Sequence, residues 1–190
     1  MNIIAITGGI GSGKSIVSRI LSAMNYEVYD CDSNAKRIMA TSCEIKRELV
    51  EAFGNDVITS AGEIASKTLS GIVFGDEIAL KRLNSIVHPK VKADILEWAQ
   101  MCTRKLVFIE TAILRESNLT DIISKEWNVY APVDERIKRV MRRSNLTEEE
   151  VRRRITMQEI CEFGIENQII NDGNTPVLPQ IIEKLHVEED

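Results

Sequence analysis

The 190-residue sequence lacks the features that mark a membrane or an exported protein. No apolar run approaches the roughly 18 residues that a membrane-spanning helix requires. The first six residues, MNIIAI, carry no basic segment, and their apolar run is too short for a secretory signal. The sequence therefore predicts a cytoplasmic protein that does not bind a membrane.

The sequence also lacks any cysteine pattern that would indicate a metal or disulfide framework. Its four cysteines are Cys31, Cys43, Cys102 and Cys161. None forms a CxxC pair or lies in a histidine cluster, so neither a zinc site nor a disulfide scaffold is expected. Reduced thiols are typical of a cytoplasmic protein.

Glycine, proline and aromatic residues are sparse, with 10 Gly, 4 Pro and 5% aromatics, which excludes collagen-like and linker-like chains. The formal net charge of −5 argues against general nucleic-acid binding. With 44% hydrophobic and 28% charged residues, the composition is that of a globular protein with one compact domain and insertions. We expect a monomer or a weak homo-oligomer.

Short apolar runs alternate with segments of helical periodicity. The helical spacing is clear from Lys14 to Met24, directly after the first run. Five runs are predicted strands: residues 1–7, 28–30, 106–109, 127–131 and 168–171. This order predicts an α/β fold with a parallel five-stranded sheet, helices on both faces and right-handed crossovers.

Two helical excursions interrupt the strand–helix alternation. Residues 33–103 show mainly helical spacing, and a second helical segment runs from Asp134 to about Cys161, with a capping-box pattern at Thr147–Glu150. We therefore predict three parts of the chain. They are a nucleotide-binding core (1–31, 104–133 and 165–190), a helical substrate-binding insert (32–103) and a helical lid (134–164).

A phosphate-binding motif follows the first predicted strand. Residues 8–15, GGIGSGKS, fit G-x-x-x-x-G-K-[ST] at every fixed position and open a predicted helix. The loop amides and the helix N-terminus favour an anion, Lys14 reaches the β- and γ-phosphates, and Ser15 is placed to ligate Mg²⁺. The loop residues expected at the nucleotide are Gly9, Ile10, Gly11, Ser12, Gly13, Lys14 and Ser15.

Other nucleotide-binding classes fit the sequence less well. The glycines do not form G-x-G-x-x-G, which rejects a dinucleotide-binding oxidoreductase. No Asn-Lys-x-Asp guanine signature occurs, and Glu110 is the one acid after an apolar run that resembles the metal-holding acid of an ATPase. The small size and two helical excursions instead indicate a kinase that closes over its substrates.

Asp30 and Asp32 lie at the end of the second predicted strand, on the edge where open α/β sheets bind ligands. We expect Asp32 to face the acceptor and take the proton of its hydroxyl, with Asp30 nearer the metal and the phosphate loop. The alternative is that Asp32 or Ser33 merely caps the next helix, and capping is compatible with the catalytic role.

Three arginines of the second excursion, Arg136, Arg139 and Arg143, share one helix face. They are expected to clamp the triphosphate, with a solvated face paired to the acids at 148–150 as the alternative. Asn171 lies in a turn after the last strand, which is either a tight turn or a contact of the nucleotide base. His88 is either a packed histidine or a substrate-binding one.

The whole pattern resembles the dephospho-CoA kinase family nearly from end to end. Lys36 stands where the family usually has Arg, Ser66 falls where Arg is common, and residues 112–116 keep only the spacing to Glu116 of the family's Pro-Leu-Leu-x-Glu element. The matching segments are the loop at 7–15, the D-x-D-x-x-A motif at 30–36, the His-Pro element at 83–91, the lid segments at 138–143 and 154–158, and the turn at 169–173.

The resemblance implies an Mg²⁺-dependent transfer of the γ-phosphate of ATP to the ribose 3′-hydroxyl of dephospho-CoA. It implies that Lys14, Asp32 and Arg139 are catalytic, that Arg143 and Asn171 contribute to nucleotide binding, and that Asp32, Lys36 and His88 bind the acceptor. Two alternatives remain at this point. One is another P-loop kinase, for a nucleoside monophosphate or a sugar acid, and the other is a non-catalytic nucleotide-binding switch.

Overall fold

The structure is a computed structural model and describes residues 1–158 and 167–189. In chain order the elements are β1 (Asn2–Thr7), α1 (Lys14–Ala23), β2 (Val28–Asp30), α2 (Cys31–Thr41), α3 (Cys43–Phe53), a 3₁₀ turn (Asn55–Val57), α4 (Ser66–Val73), α5 (Glu77–Met101), β3 (Leu106–Glu110), β4 (Lys125–Tyr130), α6 (Val133–Arg143), α7 (Glu148–Thr156), β5 (Gln168–Ile170) and α8 (Val177–Glu189).

The five strands form one parallel sheet in the order β2-β3-β1-β4-β5, which confirms the predicted fold class. Strand β4 begins two residues before the predicted run, at Lys125. β1 lies in the centre, paired with β3 on one side and β4 on the other. The sheet order reverses there, so the loop after β1 opens into the crevice where such sheets bind ligands.

The central strands are buried because their side chains are apolar on both faces. Ile4, Ala5 and Ile6 of β1 are fully buried, and so is Trp127 of β4. The ring of Phe108 on β3 lies 5.2 Å from that of Trp127. Burial of this apolar surface is the main stabilising term. The close packing of the sheet holds the carboxyl end of β1, where the loop at 8–15 begins, in one position.

The chain divides into two compact units, one of residues 1–29 with 102–190 and the other of residues 30–101. The second unit has its own helical core, which includes Ile45, Leu49 and Ile95. The predicted insert, 32–103, begins and ends two residues after this division. The lid assigned to 134–164 stays a prediction, and its residues 159–164, Cys161 among them, lie outside the described residues.

Polar side chains cap the N-termini of two helices, α2 and α7. Thr147 and Glu150 form the predicted capping box of α7. The cap of α2, however, is neither Asp32 nor Ser33 but Asp30, whose carboxylate accepts from the Ser33 amide at 3.1 Å and from its hydroxyl at 2.6 Å. The helix starts at Cys31, two residues earlier than a cap at Asp32 would give, which moves the cap to the strand end. Within the described ranges, no helix is both long and apolar enough to cross a bilayer.

Candidate active site

The loop after β1 has the geometry of a phosphate cradle. Gly13 precedes α1 with φ of 100°, a left-handed conformation that a residue with a side chain adopts only under strain. Helix α1 therefore starts at Lys14 with its N-terminus toward the loop, and Ser15 is exposed in its first turn. The Lys14 ammonium donates to the Gly8 carbonyl at 2.9 Å. This arrangement places a positive charge and the N-terminus of α1 around one anion site.

Ser12 supplies an independent sign of a ligand. Its side chain is 1% exposed, and its hydroxyl oxygen has no hydrogen-bond partner among the described residues. A buried hydroxyl without a partner is costly, and phosphate oxygens are strong acceptors for it. Ser12 also lines the cavity beside the loop. The loop therefore fits the phosphate chain of a nucleotide.

Arg139 on α6 reaches the loop from the other side. Its guanidinium donates to the Ser12 carbonyl at 3.3 Å and to the Asn171 carbonyl at 2.9 Å. Arg143, one turn further along α6, is exposed and makes no hydrogen bond to another described residue. The structure thus brings Arg139 to the loop and leaves Arg143 away from it.

Asn171 braces the loop. It is 7% exposed, and its side-chain amide donates to the Ser12 carbonyl at 2.8 Å. A residue 159 positions away in the sequence therefore holds the last turn of the cradle. The side chain faces the loop backbone, a location that the turn motif alone did not predict.

We expect Asn171→Leu to destabilise the protein by about 1–3 kcal/mol, because the Ser12 carbonyl loses a buried donor. Urea unfolding measures this as a lower midpoint with an unchanged m-value. Asn174→Leu, at an exposed position of the same turn, is the control and should leave the midpoint within experimental error. An unchanged midpoint in Asn171→Leu would contradict the bracing role.

The middle of the loop is held by Arg136, from the predicted basic helix face, and by Gln158, which the sequence did not single out as a site residue. The amide of Ile10 donates to Gln158 Oε1 at 2.7 Å, and the carbonyl of Ile10 accepts from Arg136 Nε at 2.8 Å. Gln158 lies 148 positions after Ile10. Only the arginine gave a signal, through its place on the basic face of α6.

A cavity of about 620 Å³ lies beside the loop, within the first unit. Its floor carries a polar chain between β1 and β4: the Thr7 hydroxyl donates to Glu126 at 2.7 Å, and Asn128 donates to the Thr7 hydroxyl at 3.4 Å. Arg115 lies 3.5 Å from the second oxygen of Glu126. The wall includes apolar residues such as Ile113 and Leu114. An apolar cleft with a few convergent polar groups is typical of a small-molecule site.

The remaining predicted residues belong to the second unit. Asp32 lies in the first turn of α2 and is exposed, and Lys36 is exposed on the same helix. His88 is half-buried within α5, where Pro89 follows it inside the helix. Next to Lys36, Arg37 forms an ion pair with Asp94 of α5 at 2.6 Å. The α2–α5 pair therefore presents a polar surface of both charges.

The fold and the loop define a P-loop kinase. A solved structure, TT1252 from Thermus thermophilus, is 32% identical and covers 98% of this chain and 97% of its own, with a TM-score of 0.82. Dephospho-CoA kinase from Campylobacter jejuni, 24% identical, has the same fold, with a TM-score of 0.65 over 99% of this chain and 96% of its own.

The family model for dephospho-CoA kinase (CoaE) matches residues 2–166. The dephospho-CoA kinase of Bacteroides fragilis is 38% identical over 185 residues, which is 95% of this chain and 89% of the relative. The chain belongs to the dephospho-CoA kinase family. It is a kinase of the last step of coenzyme A biosynthesis, and neither a kinase for another acceptor nor a non-catalytic switch is favoured.

Proposed function

We propose that this chain transfers the γ-phosphate of ATP to the ribose 3′-hydroxyl of dephospho-CoA, giving coenzyme A and ADP. The observation that carries the proposal is the loop at 8–15, with Lys14 at its mouth and the unpartnered Ser12 hydroxyl in its wall. In a chain of this family, such a cradle is suited to the triphosphate of the donor.

The phosphate chain is held by the loop amides and by Lys14, whose ammonium neutralises charge on the β- and γ-phosphates. Ser15 is the proposed protein ligand of Mg²⁺, because its exposed hydroxyl stands in the first turn of α1. A hard cation that keeps most of its ligands from phosphate and water suits a site with one protein hydroxyl. When bound, Mg²⁺ offsets the negative charge that develops between the β- and γ-phosphates.

The acceptor is proposed to approach the loop through the cavity of about 620 Å³. Its apolar wall suits a nucleoside, and Arg115 offers a positive charge at the rim for an anionic group. Lys36 and His88 of the second unit are proposed to bind other parts of dephospho-CoA. A lysine in place of the usual arginine at position 36 keeps the charge and loses bidentate contact with phosphate.

In the transfer step, the 3′-hydroxyl oxygen bonds to the γ-phosphorus while the bond to the β–γ bridging oxygen breaks and ADP leaves. Asp32 is the proposed base that accepts the hydroxyl proton. Arg139, anchored on carbonyls of the loop, is proposed to stabilise the charge of the transferring group. Arg143 is proposed to contribute to nucleotide binding, which would require a different position of its side chain.

Incubation of the purified protein with Mg²⁺-ATP and dephospho-CoA tests the proposal. We expect mass spectrometry to show coenzyme A and ADP formed in equal amounts. The control is the same mixture with coenzyme A as acceptor, whose 3′-position is already phosphorylated. Failure to form coenzyme A in a folded protein that binds ATP would contradict the proposal.

We also propose a cytoplasmic location and a monomer or weak homo-oligomer. Sedimentation at several protein concentrations measures the oligomeric state.

A further inference from the structure

We propose that Gln158 and Arg136 are positioning residues of the kinase: they hold both peptide groups of Ile10 and thereby aim the amide of Gly11 into the phosphate cradle. The proposal rests on the nucleotide-binding part of the function given above. It concerns only the first unit, which contains the loop, α6 and the residues that follow α7.

The loop contains a β-turn. The Ser12 amide donates to the Gly9 carbonyl at 3.1 Å, so Ile10 and Gly11 are the central residues of the turn. Gly11 has φ of 79°, whereas Ile10 is not among the residues with positive φ. A positive φ at the second central position alone identifies a type II turn. The two common turn types differ mainly by a rotation of the peptide between these two residues.

Arg136 fixes the orientation of that central peptide. Its Nε atom donates to the Ile10 carbonyl at 2.8 Å. The peptide bond is trans, so the Gly11 amide points away from Arg136. Gly11 is buried, and its amide has no acceptor among the described residues. A phosphate oxygen is the acceptor that this amide lacks, as in other phosphate cradles.

Gln158 holds the other peptide group of Ile10, the one that joins it to Gly9. Its Oε1 atom accepts from the Ile10 amide at 2.7 Å and from Arg136 Nη2 at 3.3 Å. The Gln158 backbone is itself held by a bond from its amide to the Ile155 carbonyl at 3.2 Å. The three groups therefore form a closed cycle around Ile10, in which each partner restrains the other two.

Packing ties the same residue to α6 and α7. The Ile10 side chain packs against the apolar cluster between these helices, which includes Val140, Val151 and Ile155. At Gly11, a side chain would lie 2.6 Å from the Arg136 carbonyl, so the loop backbone rests directly on α6. The turn geometry is thus coupled to the position of the predicted lid.

The pair acts through Ile10, because Arg136 Nε and Gln158 Oε1 bond its two peptide groups and Arg136 Nη2 bonds Gln158 Oε1. Loss of either residue frees the central peptide to rotate and turns the Gly11 amide out of the cradle. Arg136→Lys keeps the charge and loses the fixed fork, and we expect it to weaken AMP-PNP binding by about 10- to 100-fold. Gln158→Met keeps the length of the side chain and removes the acceptor, and we expect it to weaken AMP-PNP binding about tenfold.

The experiment measures AMP-PNP affinity by calorimetry and the hydrogen exchange of the Ile10 amide by NMR, in the nucleotide-free protein. Gln158→Met should speed exchange of this amide about tenfold, and Gln158→Glu, which keeps the acceptor, should restore its protection. The KM for ATP should rise while the KM for dephospho-CoA stays within about twofold, a difference that a general defect of α6 and α7 would not produce. Arg142→Lys, exposed on α6, is the control.

Unchanged AMP-PNP affinity in folded Arg136→Lys and Gln158→Met proteins would overturn the proposal. Equal loss of affinity for both substrates would overturn it as well, since it would indicate a structural defect. Neither the calorimetry with AMP-PNP nor the hydrogen-exchange measurement requires turnover. A wild-type protein that binds AMP-PNP and forms no coenzyme A would therefore contradict the proposed function, while the two measurements would still test the positioning role.

Discussion

Replacing Lys14 by methionine is expected to lower kcat about 10³-fold. Methionine keeps an unbranched side chain of similar length and removes the ammonium group. That group is anchored at 2.9 Å on the Gly8 carbonyl, at the mouth of the loop. Charge on the transferring phosphoryl group would then be neutralised by a smaller set of donors.

A coupled assay of ADP release measures this effect at saturating dephospho-CoA. Lys105→Met is the matched control, because Lys105 is an exposed lysine of the same unit, and its kcat should equal that of the wild type. A folded Lys14→Met protein with kcat within about tenfold of the wild type would remove Lys14 from the proposed role.

Asp32→Asn is expected to lower kcat by about 10²- to 10⁴-fold, since asparagine cannot accept the proton of the acceptor hydroxyl. The substitution is nearly isosteric, and Asp32 is exposed in the first turn of α2. Its effect on folding is limited to the loss of a favourable charge at a helix N-terminus, about 0.3–1 kcal/mol. Asp30, rather than Asp32, makes the capping bonds that stabilise α2.

The control for Asp32→Asn is Glu44→Gln, since Glu44 is the acid in the first turn of the next helix, α3. Its kcat should not change, although its exposed ion pair with Lys90 is lost. Single-turnover kinetics separate the chemical step from product release in both variants. Near-normal kcat in Asp32→Asn would show that the base is another group or that none is needed.

The sequence by itself determined the features that depend on neighbouring residues. The motif at 8–15 is contiguous, so its glycines, Lys14 and the start of α1 follow from eight successive letters. Strand runs such as residues 106–109 stand out because a strand buried on both faces needs an unbroken apolar stretch. The capping box of α7 is likewise a local pattern, with its two partners three residues apart.

Only the tertiary structure decided which distant side chains meet at the loop. On the sequence, Arg136, Arg139 and Arg143 share one face of a basic helix, yet only Arg136 and Arg139 donate to carbonyls of the loop. Arg143 makes no hydrogen bond to another described residue. Gln158 and Asn171 meet the loop across 148 and 159 positions. Such contacts follow from how helices and strands pack, and neither periodicity nor motif spacing encodes them.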